Sequence, residues 1–373
     1  MTAPPVGLVV NPVAGLGGRV GLKGSDGPEV QRHALALGAR PEALRRAELT
    51  VRQLAGVRLL TVAGAMGADA VTGRPARVVH RPDPAPTTAA DTRAAVRALV
   101  AAGAGLLLFC GGDGTARDVL DALGPDADGV PVLGIPAGVK MHSAVFAVHP
   151  HAAAEVVTAW ARGAVRLEAA EVVDRDEAAL RAGLVRTRLY GRLTVPVLPA
   201  RVQQRKTGSG LPAPSTIGGI AAEVAERVGP GGLLVLGPGT TTHAVATALG
   251  APDTSLTGVD LLRLHADAPP AVLRRDARAD QLCDLPGAPW IALSPIGGQG
   301  FLLGRGNRQL TPDLLRAAGR DRLLVLATEA KLAALAGRPL LLDTGEPELD
   351  HALAGHVRVI TGHRSGAVYR LSA

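Results

Sequence analysis

GLLLFCGGDGTARDVLDAL, residues 105–123, passes from unbroken hydrocarbon through three glycines and one carboxylate into a helical pattern. Leu106 to Phe109 are apolar without alternation, which predicts a strand buried on both faces. Ala116, Val119, Leu120 and Leu123 then recur at three and four and give the following helix one apolar face. Thr115, with Asp118 three residues on, reads as an N-cap and capping-box-like pair at the start of that helix. Gly111, Gly112, Asp113 and Gly114 therefore occupy a strand-to-helix turn, where free N–H groups and the positive end of the helix dipole suit an anion.

The same rhythm extends on both sides. VGLVV (6–10), VRLLTVA (57–63), ARVVH (76–80) and VPVLGIP (130–136) are compact apolar runs, and residues 28–38, 41–56 and 87–103 between them carry helical periodicity. Strands of this kind alternating with helices predict a doubly wound parallel sheet over residues 1–165. From residue 166, RLEAAEVVDRDEAAL and LVRTRLYGRLTVPVLPARVQQ are richer in alternation, as antiparallel strands are. RKTGSGLPAPSTIGG (205–219) reads as a mobile loop, and the α/β rhythm resumes over about 215–337. RRDARAD (274–280) reads as a charged surface helix. The fold class is thus α/β: an N-terminal doubly wound domain, 1–165, then a C-terminal domain, 166–373, with a β-rich start and a further α/β portion. A chain of 373 residues is long enough for a core in each.

Composition narrows the functional classes. Hydrophobic residues make up 47% of the chain, yet no uncharged apolar run is long enough to span a bilayer. MTAPPVGLVVNP at the start carries no basic n-region, so no signal peptide is expected. Cys110 and Cys283 are far apart and form no CxxC, which argues against a disulfide framework or zinc site and suits a cytoplasmic setting. The net charge of +7 comes without aromatic platforms or clustered basic stripes, so neither nucleic acid nor a membrane surface is an expected partner. Only four of the 40 basic residues are lysines, Lys23, Lys140, Lys206 and Lys331, and each is singled out for that reason. The ten histidines show no HxxxH or HExxH spacing, so His142, His149 and His151 read as loop residues rather than metal ligands.

The glycine-rich strand ends carry the chemistry. In open parallel sheets ligands bind beyond the carboxyl ends of strands. Asn11, Gly15, Gly17, Gly18 and Arg19 follow the first strand without matching a Walker or dinucleotide fingerprint; glycines there either bring amides to phosphate, with Arg19 as counter-charge, or simply turn the chain. Asp113 is the odd member of its loop, because a carboxylate repels phosphate. It makes sense as acceptor of a proton from an attacking hydroxyl, or working through a magnesium ion that bridges phosphates. Gly134, Gly138 and Lys140 repeat the design, and Thr87 and Thr88 stand at a helix start where they either cap it or touch phosphate. In the second half, Gly239, Thr240, Thr241 and Thr242 begin a helix after a strand, and Gly297, Gly298, Gln299, Gly300, Arg305 and Asn307 form a second glycine-rich segment.

VVNPVAG, TTAADT, GGDGTARDV and VPVLGIPAGVKMHSAVFA, in this order, resemble the ATP-NAD kinase family, within the superfamily that includes diacylglycerol kinases. The chain looks most like a longer subgroup that carries GPGTTT and SPIGGQGF loops. The resemblance implies phosphorylation of a hydroxyl, with ATP or polyphosphate as donor, Mg2+, NAD as acceptor and a homo-oligomer. It implies Asp113 as the residue that activates the acceptor, and Asn11, Gly111, Gly112, Gly114 and Thr115 as binding residues. The family's Asn-Glu pair for the acceptor is matched by Glu171, but Ala170 stands where the asparagine would be. GPGTTT also resembles a phosphate loop of ribose-5-phosphate isomerase-like folds, which implies phosphate contact by Gly239 to Thr242; Gly297, Gly298, Gln299 and Gly300, with Arg305 and Asn307, read either as a second wall of the acceptor site or as a hairpin turn. Two further functions stand beside NAD phosphorylation: a kinase of another small hydroxyl metabolite, and a non-catalytic nucleotide sensor.

Overall fold

The computed structural model of the protein describes residues 3–22, 28–83, 87–124, 129–138, 141–175, 187–198, 201–202 and 214–373. The chain divides into two compact units, one of Met1–Leu16, Gly24–Leu35 and Arg40–Arg205, the other of Gly17–Lys23, Ala36–Ala39 and Lys206–Ala373.

In the first unit β1 (Val6–Val10), α1 (Pro28–Ala36), α2 (Ala43–Val51), β2 (Leu59–Val62), β3 (Ala76–His80), α3 (Ala89–Ala101), β4 (Leu106–Gly111), α4 (Asp113–Leu123), β5 (Val132–Pro136) and α5 (Pro150–Ala161) follow in turn. The five strands pair in parallel in the order β3-β2-β1-β4-β5. β1, β2, β4 and β5 are buried at every residue, as strands covered on both faces must be, and the edge strand β3 is partly exposed. Strand order reverses at β1: the chain leaves it towards β2 on one side and later reaches β4 on the other. The connections after β1 and β4 therefore diverge and open a crevice at the carboxyl ends.

Glycine makes the centre of this sheet close. Phe109 of β4 and Phe146 meet edge to face, with centroids 5.3 Å apart. A Cβ on Gly134 of β5 would stand 2.3 Å from the Phe146 ring and 2.8 Å from that of Phe109, so only glycine admits the pair.

β6 (Arg166–Arg175) and β7 (Thr187–Val197) pair antiparallel, as their alternation predicts. This hairpin groups with the first unit, which runs on to Arg205. Leu120 of α4 fills the space beside Gly191, and Arg117 of α4 pairs with Asp174 at 3.1 Å and lies over the Tyr190 ring at 4.1 Å.

The second unit contains α6 (Pro214–Val228), β8 (Leu233–Leu236), α7 (Thr240–Ala248), β9 (Asp260–Arg263), β10 (Ala271–Arg274), β11 (Trp290–Leu293), α8 (Pro312–Ala318), β12 (Leu323–Leu326), α9 (Glu329–Ala333), β13 (Leu340–Leu341), α10 (Pro347–Leu353), β14 (Gly355–Gly362) and β15 (Ser365–Ser372). Its sheet has the order β10-β9-β8-β11-β12-β14-β15-β13, parallel through β8, β11, β12 and β14. Leu234 and Leu236 pack with Ile217, Ile220 and Val245 on one face, while Val235, Ile291 and Leu293 pack with Leu314 and Leu349 on the other. Two predicted elements differ. Pro214–Val228 is helical, so the end of the predicted loop is α6, its buried Ile217 and Ile220 supplying the anchoring face; residues 205–213 of that prediction lie outside the described ones, Arg205 included. RRDARAD is not a helix: the N–H of Asp276 donates to Asp260 Oδ1 at 2.7 Å, that of buried Ala277 to the Val259 carbonyl, and the turn these bonds hold puts Asp276 at φ 52°.

Between α3 and α4, Arg93 and Asp118 form a half-shielded ion pair at 2.9 Å. Burial pushes the Asp118 carboxyl up to about 6, against the opposing pull of the Arg93 charge. A carboxyl whose pKa rises on folding holds its proton more tightly in the folded chain. The stability linked to it is complete below its ordinary value of 3.8 and is lost as pH rises through about 6. Asp118→Asn removes this titration. Denaturant unfolding at about pH 4 and about pH 7.5 is expected to show the variant gaining on the wild type as pH rises.

Candidate active site

The crevice at the strand-order reversal is bordered by the loop after β1 and by the turn from β4 into α4. The Asn11 N–H donates to the Cys110 carbonyl at 2.9 Å, continuing the β1–β4 ladder one residue past the strand. The Asn11 side chain then spans the crevice. Its Nδ2 donates to Thr115 Oγ1 at 3.0 Å, and its Oδ1 accepts from the N–H of Val13 at 3.2 Å. Thr115 is therefore not the helix cap. Gly112 holds that position, and Thr115 lies in the first turn with its side chain against Gly111. Asp118 completes no capping box, because its carboxylate turns to Arg93.

Asp113 is the first residue of α4 and is buried. Its Oδ1 accepts from the Ser143 N–H at 3.0 Å, and its Oδ2 from the His142 N–H at 2.7 Å and from the His142 ring Nδ1 at 3.2 Å. Hydrogen bonds to an ionised group contribute about 1.5–3 kcal/mol each, enough to hold a carboxylate in a shielded place. The donor loop is itself fixed: Ser143 Oγ donates to the Val173 carbonyl at 2.9 Å and accepts from the Val173 N–H at 3.0 Å, which ties it to β6. His142 and Ser143 were not among the predicted site residues. The sequence signal was their place in the loop after a glycine-rich strand end; histidine spacing, which tests for metal, gave none.

The glycines of the turn divide by cause. A Cβ on Gly111 would stand 2.3 Å from Thr115 Oγ1. One on Gly112 would stand 3.2 Å from Gly138 Cα, and one on Gly138 2.9 Å from Gly112 Cα. Gly138 is thus brought onto the Asp113 loop, where the N–H groups of Ala137 and Gly138 both donate to the Gly111 carbonyl. Around Gly114 a Cβ would meet nothing within 4 Å.

Other predicted residues find other positions. Thr88 caps α3, its N–H and hydroxyl both donating to Asp91 Oδ2 at 2.8 Å, and the backbone bond first holds the Asp91 carboxyl below its usual range. Thr87 precedes this cap. Lys140 lies outside the described residues. Glu171 is on β6, and its carbonyl accepts from the Ala144 N–H. Of the first loop, Gly15 belongs to the first unit with φ 79°, whereas Gly17, Gly18 and exposed Arg19 group with the second, the Arg19 carbonyl accepting from Ala279 N–H. His149 caps α5, accepting from the Ala152 N–H at 3.0 Å, and His151 lies in the helix itself rather than in a loop.

In the second unit Gly239 caps α7 with φ 139°, and Thr242 donates to its carbonyl at 3.0 Å. Thr240 is exposed. Thr241 accepts at 3.1 Å from Lys331 Nζ, which also donates to Ser294 Oγ at 2.8 Å, so a buried lysine joins the loops that follow β8, β11 and β12. Arg305 does not face an open wall. It is paired with Asp343 at 2.6 Å and lies over the Phe301 ring, and the Asn307 side chain bonds backbone on both sides.

The oxygens of Asp113 already accept three hydrogen bonds, a poor donor set for a divalent cation. Among the described residues one group of three carboxylate or imidazole side chains lies close enough to share an ion: Glu223, Glu226 and His363 in the second unit. Magnesium fits the Asp113 loop only as an ion carried on phosphates.

Two family models match the chain, that of the ATP-NAD kinase N-terminal domain over residues 6–165 and that of the ATP-NAD kinase C-terminal domain over residues 233–371. No curated protein and no solved structure matches it.

The two kinds of glycine are expected to separate on substitution. Gly138→Ala should cost about 1–3 kcal/mol, because its Cβ meets backbone that cannot turn aside. Gly114→Ala should leave stability unchanged or raise it by up to about 1 kcal/mol, the preference of a helix for alanine. Chemical denaturation of both variants checks this.

Proposed function

This chain belongs to the ATP-NAD kinase family and is a kinase by that membership, and we propose that it transfers a phosphoryl group from ATP to the ribose 2'-hydroxyl of NAD to give NADP. The observation that carries this reading is the buried Asp113 carboxylate at the N-terminus of α4, in the crevice where strand order reverses. A carboxylate in such a position acts on the acceptor hydroxyl, directly or through a group that it holds, while N–H groups at the helix start face the phosphates of the donor. Gly114 supports donor binding, since none of the protein's own atoms needs its missing side chain. Magnesium would neutralise charge on the donor phosphates when bound with them.

Phosphate contacts of Gly239 to Thr242 belong to the same reading, with the helix start of α7 and the Lys331 ammonium behind it as the physical support. No helix among the described residues is long and apolar enough to cross a membrane. A cytoplasmic setting and a homo-oligomer complete the proposal, the latter measurable by light scattering. A second acceptor, another small hydroxyl compound, is favoured by Ala170 in place of the asparagine that precedes Glu171 in the family's acceptor pair.

Purified chain incubated with NAD, ATP and magnesium is expected to form NADP, read by an NADP-specific dehydrogenase. Asp113→Asn should retain nucleotide binding and lose about 10²–10⁴-fold in turnover. Wild-type turnover in that variant would remove Asp113 from the reaction. ATP consumption with a different hydroxyl acceptor, and none with NAD, would establish the second reading. Gly114→Ala should weaken ATP binding while leaving unfolding as described above, separable by calorimetry.

A further inference from the structure

The hydrogen bonds at Asp113 describe more than an anchored carboxylate. Two of its three donors come from His142, one from the backbone and one from the ring. An ionised carboxylate only accepts, so the ring nitrogen facing it, Nδ1, carries the hydrogen, and Nε2 is left with its lone pair. Among the described residues Nε2 has no hydrogen-bond partner. The His142 side chain is 15% exposed and that of Asp113 4%, so the imidazole is the more open of the two to solvent.

We propose that His142 is the catalytic residue that takes the proton of the acceptor hydroxyl, and that Asp113 is its positioning residue. The inference rests on the kinase reading above. In the step, the acceptor oxygen forms a bond to the γ-phosphorus of ATP as the bond from that phosphorus to the β,γ-bridging oxygen breaks, and ADP leaves with that electron pair. The hydroxyl proton passes to Nε2. The resulting imidazolium is held against the Asp113 carboxylate and returns its proton to solvent after the product departs. Asp113 thereby supplies two things, the tautomer before transfer and the counter-charge after it.

The charged groups on the elements around this loop are Asp113, Arg117, Asp118 and Asp121 on α4, Arg166, Glu168, Glu171, Asp174 and Arg175 on β6, Arg188 and Arg192 on β7, and Arg46 on α2, which donates to the Pro136 carbonyl. Arg117 is engaged by Asp174 and Asp118 by Arg93, and among the described residues only Asp113 bonds the ring.

The test has two arms on the full chain. In the first, ¹⁵N NMR of the imidazole rings reads the tautomer and titration of His142, assigned by the resonance missing in His142→Gln. The expected result is hydrogen on Nδ1, and loss of that preference in Asp113→Asn. Hydrogen on Nε2 overturns the proposal. In the second, kcat/KM for NADP formation is followed against pH. The acid limb of the wild type should coincide with the His142 titration and vanish in His142→Gln, with kcat down about 10²–10⁴-fold and KM little changed. Glutamine keeps the backbone N–H that Asp113 needs, so the loop can stay formed. A folded His142→Gln that retains wild-type turnover, or the same acid limb, overturns the proposal. A wild-type chain that makes no NADP defeats the choice of acceptor instead; the NMR arm, read on the wild type, then decides the His142–Asp113 arrangement by itself.

Discussion

The site in the first unit depends on a contact between two backbones. Gly112 and Gly138 approach so closely that a methyl group on Gly138 finds no room and one on Gly112 only a tight place. That approach draws the loop after β5 over the start of α4, where its later residues, His142 and Ser143, deliver their N–H groups to Asp113. Without it a carboxylate at this depth would face a desolvation cost of several kcal/mol with little in return. The charge is tolerable because the neighbouring loop was brought to it.

Much of this was legible in the sequence. Strands apolar on both faces belong to a sheet covered on both sides, so β1, β2, β4 and β5 could be read from their residues, as could the turn holding Asp113. What could not be read is contact at long range. Thr115 looks like a cap because a hydroxyl before an apolar helical face usually is one, yet its partner is Asn11, more than a hundred residues earlier. His142 looks like a loop histidine because local spacing says nothing of a carboxylate on another element. Arg305 read as part of a wall of the acceptor site and is instead buried against Asp343. Pro214 onward read as loop because Gly, Pro and Ser dominate its flank, while the apolar Ile217 and Ile220 decided the matter through burial.

The second unit uses charge differently from the first. Arg305 and Asp343 sit at 1% and 2% side-chain exposure, and a buried pair of that kind costs about 3–5 kcal/mol when one partner is removed. Lys331 bonds two hydroxyls from separate segments, Thr241 at the start of α7 and Ser294 after β11, in a chain that has only four lysines. The flexible stem and three donors of a lysine suit such a junction, where the flat fork of an arginine would meet two single hydroxyls poorly.

The crowding around the glycines also bears on what a motif can report. In Gly111-Gly112-Asp113-Gly114, the first glycine is demanded by the protein's own Thr115, and the second is crowded by Gly138. A chain could lose every ligand and still need the first letter to form this turn. Asp113 is locked by its partners in the same manner. Only Gly114 has no such cause among the protein's own atoms, since open space surrounds its missing side chain. Degenerate copies of this fold, if they drift, are therefore free to change that letter first, and its replacement marks a scaffold that has outlived its chemistry.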